Sequence, residues 1–237
     1  MAAATNLVLV PGLLCTKALW AAQAAALGDI ADMTVADHTG HDSMAAIAKS
    51  ILAAAPARFA LAGLSMGGYI AFEFLRRWRA RVRGLVLMDT RAEADTAEGR
   101  KARDAAAALA RDRGAEAVTE SLLPRVLGRS TRTGASITAE RVRGMMSSTP
   151  VPGLVGALAA MRDRPDSTPL LPELAGLPTL VVVGEEDELT PPDTARTMAN
   201  RIPGARLVTV HGSGHLPPVE RPVETTRALV EFLRSLR

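Results

Sequence analysis

The sequence predicts a doubly wound α/β domain with a six-stranded parallel sheet and a helical insertion after the fourth strand. Three observations support this fold class. Short apolar runs alternate with longer segments of helical periodicity. Most of the runs are continuously apolar, which is typical of strands that helices cover on both faces. The alternation stops between residues 91 and 177, where only helical segments occur.

The strands and the helices between them follow from these runs and from their caps. Ser43 is a suitable N-cap for the second helix, and Pro222 can open the last one. The predicted strands are Leu7–Val10, Met33–Asp37, Phe59–Ser65, Leu85–Asp89, Thr179–Gly184 and Ala205–His211. The predicted helices outside the insertion are Lys17–Leu27, Met44–Ala55, Met66–Arg79, Asp193–Arg201 and Val223–Leu236.

The segment from about Arg91 to Leu177 is expected to form a helical lid, and residues 1–90 and 178–237 to form the core of the fold. Glycine, proline and Ser/Thr turns divide the lid into separate helices. These are Ala97–Arg113, Ala115–Leu127, Thr138–Ser147 and Gly153–Arg162. We expect most apolar lid residues to pack internally and some to face the sheet. The lid has no obvious cluster of cationic residues that would clamp a substrate.

Composition excludes several function classes. The 237 residues are 48% hydrophobic and 22% charged, which is ordinary for a soluble globular protein. A net charge of +3 with only 3% aromatic residues argues against nucleic-acid binding. The single cysteine, Cys15, excludes an internal disulfide and a cysteine-based metal site.

The first apolar run, Leu7–Val10, is too short for a signal or membrane segment, so we expect a cytoplasmic protein that binds no membrane.

Ser65 is the strongest candidate for a nucleophile. It lies in Gly63-Leu64-Ser65-Met66-Gly67-Gly68, directly between a predicted strand and a predicted helix. Glycines two residues before and after a serine permit a very tight, strained turn that projects the hydroxyl from the sheet. The following helix N-terminus favours a developing negative charge.

His215 is the best candidate for the base that such a serine requires. It follows the last strand in Gly212-Ser213-Gly214-His215-Leu216-Pro217-Pro218, which predicts a defined, non-helical loop at the carboxyl edge of the sheet. The other histidines are weaker candidates: His211 is expected to pack at the strand end, while His38 and His41 suit an entrance or a structural role.

A histidine base needs an acid that orients its ring, and Asp187 is the favoured candidate. It follows the fifth strand, three residues after Gly184 and shortly before Pro191 and Pro192. Its acidic neighbours, Glu185, Glu186 and Glu188, are interpreted as a solvated loop. Asp89, at the end of the fourth strand, is the reserve candidate.

The oxyanion hole requires two backbone N–H groups directed at the developing charge. Met66, directly after the serine, is expected to supply one, and Leu13, after Pro11 and Gly12, the other. The nearby thiol of Cys15 is interpreted as a small buried side chain rather than a second nucleophile.

In chain order these motifs resemble the α/β-hydrolase superfamily. The resemblance covers essentially the whole chain, and Ser65, Asp187 and His215 follow the superfamily's order. The sequence differs from many relatives at Pro11, where they have a histidine. The superfamily's usual first two strands also find no counterpart here, which is why we expect six parallel strands. The matching motifs are the Pro-Gly-Leu loop followed by Trp20, the Ser65 elbow, the Gly-x-x-Asp loop and the Gly-x-Gly-His loop.

The resemblance implies acyl transfer to water without a metal or organic cofactor. The leading interpretation is a carboxylesterase for a small or medium apolar ester, in a monomer or homodimer. The elbow and the C-terminal third also resemble 3-oxoadipate enol-lactone hydrolases, so a lactone is an alternative substrate. Carbon–carbon bond hydrolysis and perhydrolysis use the same three residues. A ligand-binding receptor with slow turnover is the alternative from another class, and a structural protein with a fossil site is a third.

Overall fold

The sheet at the centre of the fold has six strands, all parallel, in the order β2-β1-β3-β4-β5-β6. The structure is a computed structural model that describes residues 4–236. Every predicted strand is present, with boundaries shifted by up to three residues. The strands are β1 (Thr5–Val10), β2 (Ala31–Val35), β3 (Phe59–Leu64), β4 (Val82–Met88), β5 (Thr179–Gly184) and β6 (Arg206–Val210). Because parallel strands end at the same edge, the segments after β1, β3, β4, β5 and β6 lie near one another.

Helices cover both faces of this sheet. Single turns of 3₁₀ helix occur at Lys17–Trp20, Arg79–Arg81, Thr168–Leu170 and Pro172–Leu174. The first of these turns replaces the start of the predicted helix Lys17–Leu27. The α-helices are α1 (Ala21–Leu27), α2 (Met44–Ala54), α3 (Met66–Trp78), α4 (Ala97–Val126), α5 (Arg129–Gly134), α6 (Ser136–Ser147), α7 (Val151–Arg162), α8 (Pro192–Arg201), α9 (Pro217–Glu220) and α10 (Pro222–Ser235).

Two apolar layers, one on each face of the sheet, form the core. Alternation along β1 assigns Leu7 and Leu9 to the layer that contains Trp20. Val8 and Val10 belong to the opposite layer. Burial on both faces explains why β1, β3 and β5 are continuously apolar in sequence.

The helices α4 to α7 lie between β4 and β5, and the described residues 91–177 contain no strand. We call residues 91–177 the helical insertion. Its longest helix, α4, packs against α7 and α6. Gly114 is non-helical, with φ 79° and ψ 174°, and separates the two halves of α4 where the sequence predicts two helices. The short helix α5 was not predicted.

Within residues 4–236, no helix has both the length and the apolar character needed to span a bilayer.

Candidate active site

Ser65 occupies a strained turn between β3 and α3. Its φ of 53° and ψ of −113° are rarely adopted by a residue with a side chain. A Cβ at Gly63 would lie 2.2 Å from the Gly67 carbonyl oxygen, and a Cβ at Gly67 would lie 2.2 Å from the Val10 carbonyl oxygen. The two glycines therefore permit the tight turn that presents the Ser65 hydroxyl to the carboxyl edge of the sheet.

The imidazole of His215 lies between Ser65 and Asp187. Its Nε2 is 2.8 Å from the Ser65 Oγ, and its Nδ1 is 2.8 Å from the Asp187 Oδ2. His215 is buried, and its backbone N–H donates to the Val126 carbonyl of the helical insertion at 2.9 Å. These contacts allow a proton to pass from the serine hydroxyl to the imidazole.

The loop around His215 differs from the sequence prediction. A short helix, α9, begins at Pro217, because proline suits the first turn of a helix. The expectation of a wholly non-helical loop was therefore wrong. Glu220 in this helix accepts hydrogen bonds from the backbone N–H groups of Leu216, at 3.1 Å, and Gly128, at 2.8 Å. Glu220 thus fixes the His215 loop against the insertion, a role that sequence reasoning missed.

Asp187 is buried and acts purely as an acceptor. Besides His215, it accepts from the Thr190 hydroxyl at 2.6 Å and from the Leu189 N–H at 2.8 Å. Burial raises the pKa of the Asp187 carboxyl, but the charge and hydrogen bond of His215 and the two further donors lower it more. The net pKa lies below the usual range of an aspartate, so Asp187 is ionised at neutral pH.

The reserve candidate, Asp89, occupies a different position. Its Oδ1 accepts from the Gly184 N–H at 2.8 Å, while its Oδ2 is buried without a hydrogen-bond partner among the described residues. Burial, and then the charge of Asp187, raise the pKa of Asp89 well above its usual value. Asp89, Asp187 and His215 have potential ligand atoms within 4.8 Å of one another. Both His215 ring nitrogens already face Ser65 and Asp187, which leaves neither ring nitrogen free for a metal ion.

Leu13 and Met66, the residues predicted to supply oxyanion donors, lie in the loop after β1 and at the start of α3. The N–H groups of Leu13 and Met66 donate no hydrogen bond to another residue in the described range 4–236. Behind them, the Gly12 carbonyl is 3.0 Å from the His38 Nε2 and also accepts from the Cys15 N–H at 3.0 Å. Because Gly12 C=O and Leu13 N–H belong to one rigid peptide plane, His38 fixes the direction of the Leu13 N–H.

The state of His38 suits this contact. His38 is buried, and burial lowers its pKa more strongly than the hydrogen bond to Gly12 raises it. A neutral ring that donates from Nε2 satisfies the carbonyl. The position of His38, close to the end of β2, was visible in the sequence, but its contact with the β1 loop depends on strand order and had no sequence signal.

Three further residues, Cys15, His211 and Glu186, can be compared with the expectations from the sequence. Cys15 is buried, and burial raises the pKa of its thiol to about 12, so it is no nucleophile at neutral pH. His211 does not pack at the strand end: its side chain is 91% exposed and pairs with Glu185 at 2.6 Å. The interpretation of Glu186 as merely solvated was also wrong, because it accepts from the Ser130 hydroxyl of the insertion at 2.6 Å.

A cavity of about 320 Å³ opens beside these groups. Part of its wall is apolar. The lid was expected to offer no obvious cationic clamp, but three arginines from residues 91–177 line the cavity. The polar and charged side chains of the lining are Ser65, Tyr69, Arg91, Asp95, Thr96, Arg103, Arg125, Thr190 and His215. The apolar part includes Leu13, Leu122, Val126, Met146, Leu158, Met161 and Leu189.

A buried ion pair closes one side of this cavity. Arg164, which follows α7, contacts the Asp95 Oδ1 at 2.6 Å, and its guanidinium carbon is 4.1 Å from the centre of the Tyr69 ring. Arg103 contacts the other carboxylate oxygen of Asp95 at 3.0 Å. Since Tyr69 belongs to α3 and Asp95 to the insertion, this cluster connects the two parts of the fold.

Comparison with known proteins places this chain in a family. The sequence model described as "Alpha/beta hydrolase family" matches residues 7–229, which is nearly the whole chain. The chain belongs to the alpha/beta hydrolase family. The predicted superfamily resemblance and the predicted six-stranded parallel fold are thereby confirmed.

Individual members of the alpha/beta hydrolase family resemble this chain over most of its length. A thermophilic esterase from Thermogutta terrifontis, solved with malate bound, is 36% identical, with a TM-score of 0.91 over 98% of this chain and 90% of that one. The enol-lactonase from Burkholderia xenovorans LB400 is 26% identical, with a TM-score of 0.87 over 98% and 92% of the chains. A Mycobacterium tuberculosis protein, provisionally named non-heme bromoperoxidase BpoC, is 30% identical over 77% of this chain and 70% of its own.

Proposed function

We propose that this chain is a serine hydrolase that cleaves carboxylic esters through an acyl-enzyme on Ser65. The observation that carries this proposal is the hydrogen-bonded series from the Ser65 hydroxyl through His215 to Asp187, at the wall of a cavity. An esterase 36% identical to this chain supports the ester as substrate class.

The first half of the reaction forms the acyl-enzyme. The Ser65 Oγ attacks the ester carbonyl while the His215 Nε2 accepts the hydroxyl proton. Asp187 accepts from the Nδ1–H and stabilises the imidazolium that results. The N–H groups of Leu13 and Met66 stabilise the tetrahedral oxyanion. Collapse of this intermediate breaks the ester C–O bond, and the leaving alkoxide takes the proton from His215.

The second half hydrolyses the acyl-enzyme. His215 removes a proton from water, which attacks the acyl carbonyl, and the same oxyanion donors stabilise the second tetrahedral intermediate. Ser65 leaves with the proton that His215 returns, and the carboxylic acid is released. These steps use only side chains and backbone groups of the chain. The helical insertion would act as the lid that covers the substrate.

A lactone is the second candidate substrate, because the chain is similar to an enol-lactonase at a TM-score of 0.87. Attack on a cyclic ester uses the same groups, and the alcohol then remains attached to the acyl group. Parallel assays of a lactone and a linear ester of equal chain length separate the two substrates by their kcat/KM.

The test is hydrolysis of p-nitrophenyl acetate and butyrate by wild type and Ser65→Ala. We expect a burst of p-nitrophenol from wild type and at least a ~1000-fold lower kcat in Ser65→Ala. Ser235→Ala is the matched control, because that hydroxyl bonds the Phe232 carbonyl within α10 at 2.7 Å. Equal rates in wild type and Ser65→Ala would refute the mechanism. Binding of these esters without turnover by wild type would favour a receptor.

A further inference from the structure

The cavity beside Ser65 has an excess of positive charge. The lining contains three arginines, Arg91, Arg103 and Arg125, and one carboxylate, Asp95. Asp187 lies close to the cavity, but its oxygens are occupied by His215, Thr190 and the Leu189 N–H.

The charge of Asp95 is already compensated. One oxygen contacts Arg103 at 3.0 Å and the other contacts the buried Arg164 at 2.6 Å. Asp95 therefore has no free oxygen with which to balance a second cavity arginine. Arg103 is the cavity arginine that forms an ion pair, and it shares Asp95 with Arg164.

Arg91 and Arg125 are the two unmatched cations. In the described part of the chain, neither guanidinium forms an ion pair with a carboxylate. Half-buried Arg91 donates to the Leu189 carbonyl, which holds the side chain in place and leaves most of its N–H donors free. Arg125 is exposed and has no hydrogen bond to another described residue, which places it at the opening of the cavity.

Both arginines line the same cavity as Ser65 and His215. Arg91 also contacts the loop that follows β5, at Leu189.

A partly covered guanidinium is most stable with an anion that matches its planar fork, and a carboxylate does so with two parallel hydrogen bonds. We propose that the substrate carries a second carboxylate, apart from the carbonyl that Ser65 attacks, and that Arg91 and Arg125 bind it. This inference rests on the proposed function. Leu122, Leu158 and Met161 then contact the aliphatic segment that joins the two ends.

The test compares two esters with five-carbon acyl chains and the same leaving group: mono-p-nitrophenyl glutarate, which is anionic, and p-nitrophenyl pentanoate, which is neutral. The measured quantity is the ratio of their kcat/KM values at low ionic strength. We expect the ratio to exceed about 10 in wild type and to fall at least about tenfold in Arg91→Gln, with a smaller fall in Arg125→Gln.

Two further variants sharpen the test. Arg91→Lys keeps the positive charge but loses the planar guanidinium that can form two parallel hydrogen bonds. The ratio of kcat/KM values for this variant should therefore lie between those of wild type and Arg91→Gln. Arg206→Gln removes an exposed cation that pairs with Glu231 at 3.4 Å, on the edge strand β6, and should leave both kcat/KM values unchanged. Thermal unfolding of each variant identifies any that fails to fold.

Calorimetry separates this inference from the proposed function. Monomethyl glutarate, which has one carboxylate and one ester, should bind Ser65→Ala more tightly than methyl pentanoate, which is neutral, and Arg91→Gln in that background should remove the difference. If wild type hydrolyses the neutral ester through Ser65 but shows no preference for the glutarate ester, or if both Gln variants keep the preference, the inference is wrong and the proposed function stands. If neither ester is hydrolysed, the proposed function fails. Equal binding of monomethyl glutarate and methyl pentanoate would then overturn the inference as well.

Discussion

The carboxyl edge of the sheet and the helical insertion contribute to the same cavity in different ways. The sheet edge supplies Ser65, Asp187 and His215, each within five residues of the end of its strand. The turn between β3 and α3 holds Ser65, whereas the His215 loop also contacts Val126 and Gly128 of the insertion. The insertion supplies Asp95 and Arg103, which form an ion pair, and Arg125, which has no ion pair or hydrogen bond to another described residue. The difference teaches that the proposed chemistry depends on the sheet edge, while the proposed substrate preference depends on the insertion.

The largest expected effect contrasts the two carboxyls at the sheet edge. Asp187→Asn should lower kcat by about 10³- to 10⁴-fold, because it removes the acceptor that orients His215. Asp89→Asn should stay within about tenfold, because Asp89 forms no hydrogen bond with His215 among the described residues and an asparagine oxygen can still accept from the Gly184 N–H. Steady-state kinetics on p-nitrophenyl butyrate measure both. A larger loss in Asp89→Asn would show that the acid assignment is wrong.

The next effect concerns His38, which contacts the loop after β1 that contains Gly12 and Leu13. His38→Phe removes the donor to the Gly12 carbonyl and should lower kcat by about 10- to 100-fold with a smaller change in KM. His38→Gln keeps a donor and should recover part of the rate. His41→Phe, at an exposed position on the same loop, is the control. If His38→Gln and His38→Phe lose activity equally, the ring is needed only for packing.

The smallest effect concerns the ion pair that joins the insertion to the core. Asp95→Asn should lower the free energy of unfolding by about 2 kcal/mol at pH 7, since it leaves the buried Arg164 without its anion. Denaturant unfolding measures this loss. Asp163→Asn, in a solvent-exposed pair with Arg162, is the control and should change stability by less than about 0.5 kcal/mol.

The pH dependence of this loss has a defined sign. Burial raises the pKa of Asp95, but Arg103 and Arg164 lower it more, so the folded-state pKa is below the unfolded value of about 3.9. The stabilisation is therefore fully present above that unfolded value and is lost as pH falls through the folded pKa. The difference between wild type and Asp95→Asn should shrink toward pH 3. A difference that stayed constant down to pH 3 would exclude an electrostatic origin.

Sequence patterns predicted the sheet edge well. The strands are continuous apolar runs, and Ser65, Asp187 and His215 each follow one of them within a glycine-containing loop. Parallel strands end at a common edge, so adjacency in space follows from the strand pattern alone. The residues that support the site, His38 and Glu220, could not be predicted from the sequence. His38 and Glu220 carry no local signal, because their contacts join segments separated by 26 and 92 residues.

The insertion was predictable as helices but not as a binding surface. Gly114 marked the break within α4, whereas α5 was missed because its sequence, RSTRTG, has no apolar periodicity. The amphipathic pattern of a helix shows which residues pack but not what they face. The sequence therefore assigned no role to Arg91 and Arg125, and only the tertiary structure places them on the wall of the Ser65 cavity.

The most direct test of the central claim, that Ser65 is the nucleophile, is covalent labelling with a fluorophosphonate followed by peptide mass spectrometry. We expect one label per chain, on the Ser65 Oγ, with no labelling of Ser65→Ala and unchanged labelling of Ser235→Ala. Labelling at Cys15 or at another serine, or equal labelling of Ser65→Ala, would contradict the account.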